Sequence, residues 1–76
     1  MKILIKKIKE LPDALHPSNI SEGWSKIVSA NKDDFEPPTI GHRFNTWGFS
    51  SSMVVDIIDD KTFKTLSSIY EWSILD

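Results

Sequence analysis

Ser50-Ser51-Ser52, His16, His42 and a scatter of aspartates supply every residue type of a nucleophilic triad. A nucleophilic serine, however, needs a strained turn that presents its hydroxyl and backbone N–H groups that hold the oxyanion. No G-x-S-x-G elbow surrounds these serines and no glycine run follows them. They read instead as hydroxyls that satisfy nearby backbone groups at the start of a strand. His16, His42, Asp59 and Asp60 are metal-ligating types whose spacing matches no ligand pattern, and an acidic pair between two apolar runs is a turn signature. Gly23, Gly41 and Gly48 stand far apart, so there is no phosphate-cradling loop. The expectation is a non-enzymatic protein with no catalytic residue, no metal site and no cofactor.

Recognition is better represented. His42, Arg43, Trp47 and Phe49 lie within one short segment, and arginine beside aromatic rings is the composition of binding hot spots and of base-stacking platforms. Arg43 is the single arginine beside eight lysines, and its planar fork suits a carboxylate or phosphate, whether on a partner or on Glu36 or Glu71 of this chain. Against that stands packing, since in a small domain Phe44, Trp47 and Phe49 are wanted as core. Trp72, Tyr70, Phe63 and Phe44 already fill a small interior, so at least one of Trp47 and Phe49 is expected at the surface. Gly48 between them marks a corner where the side chains splay. Arg43, Trp47, Phe49 and His42 are therefore the candidate binding residues.

The elements that must position them are strands. Met53-Val54-Val55-Asp56-Ile57-Ile58 is rich in β-branched residues, Asp59-Asp60-Lys61 interrupts it, and Thr62-Phe63-Lys64-Thr65-Leu66 resumes. This pattern predicts an antiparallel hairpin. Because Asp56 is costly to bury, alternation predicts Met53, Val55 and Ile57 on the core face, with Val54 and Ile58 opposite. A last strand, Ile69 to Leu75, places Tyr70, Trp72 and Ile74 together. Ile3 and Ile5 alternate with lysines, as in an edge strand blunted by charge, whereas Met1, Leu4, Ile5, Ile8 and Leu11 fall on one helical face; the strand is preferred, because a helix starting at residue 1 has no cap. Pro12 and Pro17 make Leu11 to Asn19 a loop with room for one short helical turn. Residues 23–30 fit a helix and a strand; the strand is preferred, because the sheet needs a neighbour to close. Asn31 to Pro38 is expected to be an acidic surface loop around a lone Phe35.

Seventy-six residues make one domain with a thin stability margin. Hydrophobic residues at 39% and charged ones at 26% are ordinary for a globular chain. The absence of cysteine excludes a disulfide framework and is compatible with a reducing cytoplasm. A net charge of −2 gives no global attraction to phosphate. The apolar run at residues 1–5 is too short for a membrane span or signal peptide, which leaves a cytoplasmic protein with no membrane partner as the expectation.

Pro38-x-Ile40-Gly41-x-x-Phe44, Phe49-x-Ser51-Ser52-x-Val54-Val55-x-Ile57 and Thr62-Phe63-Lys64-Thr65-Leu66-x-Ser68-x-Tyr70 together resemble the pattern of small uncharacterised β-domain proteins of bacteria and their phages. The resemblance covers the second half of the chain and implies a compact β-fold and a mobile-element origin. It transfers no catalytic residue. The combined expectation is an all-β domain, residues 1–76, forming a small partly open barrel or meander of about five or six strands in the style of SH3-like barrels. Its expected role is protein–protein contact, as a phage-borne factor acting on a host protein or as a homo-oligomer. Nucleic-acid or nucleotide binding on an aromatic and basic face is the alternative.

Overall fold

The computed structural model describes residues 1–11 and 22–75. The strands are β1 (Lys2–Glu10), β2 (Ser25–Ser29), β3 (Arg43–Thr46), β4 (Phe49–Asp59), β5 (Thr62–Thr65) and β6 (Ser68–Ile74). They form one sheet in the order β2-β1-β6-β5-β4-β3, with every paired neighbour antiparallel. Each pair is thus adjacent in sequence, except that β6 returns beside β1. The two ends of the sheet, β2 and β3, come together at a single bridge, Ser29 to Trp47. The result is a partly open, up-and-down barrel with one incomplete seam, and the all-β expectation holds. The segment with room for a helical turn lies almost wholly outside the described residues.

Alternation explains β1: Ile3, Ile5 and Lys7 point inward and are buried, whereas Lys2 and Lys6 face solvent. β1 is not an edge strand, because β2 and β6 pair on its two sides. Lys7 is buried in phase with the isoleucines, and its ammonium is paired with Glu10. Glu10 also accepts from Ser68 Oγ at 3.1 Å. From there the hydroxyls of Ser68, Ser67 and Ser52 continue at 3.3 and 3.4 Å. A buried charge is tolerated only when paired and hydrogen-bonded, and this chain of oxygens supplies both conditions.

β4 departs from simple alternation. Val54 pairs with Thr65 but Asp56 with Lys64, and Ile57 then faces Phe63. The extra residue of this bulge puts Val54 and Ile57 on the same side of the sheet, which strict period-two reading forbids. Val54 is therefore fully buried while Met53 is exposed and Val55 half-buried, reversing the expected face before the bulge; beyond it Ile57 lies on the core side as expected but is still exposed. A second bulge sets Arg43 opposite Met53 and Asn45 opposite Ser50. At that point Phe44 N donates to Ser51 Oγ at 3.0 Å, and Ser51 Oγ donates to the Ser52 carbonyl at 2.7 Å. The serine thus meets a backbone donor at the bulge, in keeping with a structural role.

Seven of the eight aromatic residues form one continuous interior set. Trp24 stacks on Phe49 (centroids 5.8 Å), Phe49 meets Tyr70 edge-on (5.3 Å), and Tyr70 stacks on Phe63 (5.6 Å). Phe63 continues to Phe44 at 5.1 Å, and Phe44 to Trp72 at 6.1 Å. Phe35 closes the set against Trp72 and Phe44, at 5.5 and 6.2 Å. The lone Phe35 of an expected surface loop is thus half-buried and packs on the core. Trp47 alone stands outside.

Candidate functional site: the open seam

The β3–β4 connection is the tight turn Thr46-Trp47-Gly48-Phe49, with Thr46 paired to Phe49. Gly48 has φ +91°, in the left-handed region that favours glycine, whereas Trp47 has no positive φ. Residues on either side of Gly48 leave in opposite directions. Phe49 enters the core at 7% exposure, and Trp47 is 78% exposed. The expectation that at least one of them stays outside is met, and Phe49 is lost as a surface contact because its ring is enclosed by Trp24, Phe44 and Tyr70.

This turn is tied to the opposite edge of the sheet. Trp47 N donates to the Ser29 carbonyl at 3.1 Å, and Lys26 Nζ to the Gly48 carbonyl at 3.3 Å. A Cβ on Gly48 would stand 3.4 Å from that ammonium. The two bonds tie the backbone that carries Trp47 to the seam, so the indole is not carried on a free loop tip.

Beside it the seam opens into a cleft of ≈ 490 Å³. Trp47, Thr46 and Asn45 line one side, Asn31 and Asp34 the other, and Phe35 supplies apolar surface continuous with the core. Asn31 is held in place locally, since its carbonyl accepts from Asp34 N and its Oδ1 from Asp33 N, each at 3.0 Å. Asp34 is the one ionisable residue of the lining among the described residues. The cleft thus combines an exposed indole, a carboxylate and side-chain amides.

Of the four candidate binding residues, the structure brings only Trp47 to this cleft. Arg43 is exposed on β3, four residues and about 13 Å of extended chain from Trp47. It forms no ion pair among the described residues, so neither Glu36 nor Glu71 takes it up. His42 is exposed beside it, with its backbone carbonyl accepting from Val54 N. Asp34, Phe35 and Asn31 were missed as site residues because nothing local in Asn31 to Pro38 says that this loop lies over a seam closed by β2 and β3.

The other chemistry-bearing groups stay apart. Ser50 Oγ donates to Asn45 Oδ1 at 2.6 Å, and no histidine is bonded to any of the three serines among the described residues. His16 lies outside the described residues, and within them no three His, Asp or Glu side chains gather as a metal site. Asp59 Oδ1 accepts from Lys61 N at 2.9 Å; that bond, with help from Thr62, holds its carboxyl below the usual carboxylate range. No helix among the described residues is long and apolar enough to cross a membrane. No family model, curated protein or solved structure matches the chain.

Proposed function

We propose that this protein is a non-enzymatic binding module that takes an extended segment of a partner protein at the seam between β2 and β3, with Trp47 as the anchor. The observation that carries this reading is the 78% exposure of Trp47 in a small chain whose seven other aromatic rings are packed together. Exposing an indole forgoes roughly 2 kcal/mol or more of burial, which a domain with so little core does not discard without cause. Tryptophan is also the residue most enriched at binding hot spots. Two sheet ends that meet at one bridge offer backbone groups to an added strand, and the adjoining cleft falls in the ordinary size range of ligand sites.

The partner we favour is a host protein met in the cytoplasm, in keeping with the resemblance of the second half to phage and bacterial β-domains and with the lack of cysteine. A second copy of this chain is the competing occupant. Nucleic acid is less well supported, since Arg43 and His42 lie off the cleft and the net charge is −2. The test is selection of peptides from a displayed random library against the intact chain, with amide chemical shifts recorded for each selected peptide. Retained peptides should shift Asn31, Asn45 and Trp47 and be released by Trp47→Ala. Peptides that bind Trp47→Ala equally would remove the seam from the account. A concentration-dependent mass would favour the homo-oligomer, and steeply salt-sensitive binding of single-stranded DNA would favour the nucleic-acid alternative.

A further inference from the structure

The lining of the seam says more than that something binds there. An exposed indole and a carboxylate border the same cleft, Phe35 adds a second ring, and among the described residues no lysine or arginine side chain is part of the wall. Asp33 and Glu36 flank Asp34 and Phe35 in the same exposed loop, adding negative potential, which Lys32 only partly offsets. Two cations are fixed at the rim and both are engaged with backbone: the N-terminal ammonium donates to the carbonyl of the lining residue Ala30 at 2.9 Å, and Lys26 Nζ donates to the Gly48 carbonyl at 3.3 Å. An aromatic face attracts a cation through its quadrupole, and a carboxylate attracts it through charge. An anion or a purely apolar group gains from neither.

We propose that the cleft receives a cationic side chain, a lysine or arginine of the bound segment, with its charged head between the Trp47 ring and the Asp34 carboxylate and its aliphatic stem against Phe35. The proposal rests on the reading of the seam as a protein-binding site and names the chemistry of the segment that fits it. The stem and head of such a side chain match the two halves of the lining, since long cationic side chains bury their methylenes and keep the charge at the mouth. Asn31 Oδ1 and Asn45 Oδ1 each accept one bond already, from Asp33 N and Ser50 Oγ, and each keeps a second lone pair for an N–H of the head or of the segment's backbone.

The experiment is an amide and indole shift titration of the intact chain with Nα-acetyl-lysine N-methylamide, run beside its Nε-acetylated counterpart, which keeps the stem and removes the charge. Saturable shifts at Asp34 and at the Trp47 indole are expected with the charged probe. The neutral probe should bind about tenfold more weakly, and Asp34→Asn should remove most of that difference while Asp33→Asn leaves it in place. Equal binding of both probes at Trp47 would overturn the cation assignment while leaving the seam as a binding site. Shifts that persist unchanged in Asp34→Asn would reduce the effect to general attraction by an acidic surface, and would overturn it as well. Failure of both probes to shift the cleft also overturns it, and the separate peptide selection against Trp47→Ala then decides whether the seam binds protein at all.

Discussion

Phe49 and Trp47 are separated by one glycine and live in different regions of the molecule. The first belongs to an interior in which each ring touches others of the set, so that its position is determined by several neighbours at once. The second is tied only at its backbone, to the Ser29 carbonyl and through the Gly48 carbonyl to the Lys26 ammonium, while its ring is left bare. The contrast separates what holds the barrel together from what the barrel holds out. Stability should therefore be sensitive on one side of Gly48 and nearly indifferent on the other.

Phe44 offers the largest effect, because its ring touches Phe35, Phe49, Phe63 and Trp72. Phe44→Ala should cost about 3–5 kcal/mol in a denaturant titration, whereas Trp47→Ala should stay within about 0.5 kcal/mol. Comparable losses from both would dissolve the distinction between interior and seam. The polar end of the interior comes next. Glu10→Ala removes the carboxylate paired with the buried Lys7 ammonium and should cost about 3 kcal/mol. Adding Lys7→Met to that variant should recover a large part of the loss, since the buried charge is then gone. A double variant as unstable as Glu10→Ala would show that the pair is not what Lys7 needs.

Ser51→Ala should be milder, at about 1–3 kcal/mol, through the Phe44 N–H left without its acceptor. Ser50→Ala, on the exposed face, serves as its control. The smallest effect belongs to the β4–β5 turn. Asp59 has its folded pKa lowered, so its contribution is present above the ordinary aspartate range and is lost as pH falls through the lowered value. The melting temperature of the native chain should therefore drop slightly on acidification in that window, by a margin that Asp59→Asn removes. An identical acid profile for the two proteins would take Asp59 out of the account.

How much of this was legible in the sequence follows from which features are local. The hairpin about Asp59-Asp60-Lys61, the inward Tyr70 and Trp72, the inward Ile3 and Ile5, and the splitting of Trp47 from Phe49 all come from turn residues and period-two alternation, and all are present. Val54 was misassigned because a bulge adds a residue without leaving a mark in composition, and Asp56 pulled the reading to the wrong face. Lys7 shows the converse. Alternation alone places it inside, but charge argues against burial, and Glu10 and the Ser68 hydroxyl that accommodate it are brought there only by the fold. β1 looked like an edge because its partners are supplied by β2 and, from the far end of the chain, by β6. The seam is non-local in the same way, since Phe35 and Asp34 meet Trp47 only after the sheet curls.

The measurement closest to the central claim uses the three tryptophans as they stand, labelled with 5-fluorotryptophan and assigned through Trp47→Phe. In the free monomer the Trp47 resonance should respond fully to solvent isotope and to a soluble paramagnetic agent, with Trp72 protected. On addition of a selected peptide the Trp47 resonance should move and lose that response, while Trp72 stays in place. A Trp47 resonance as protected as Trp72 in the free monomer, or one that remains solvent-exposed in a saturated complex, would contradict the account.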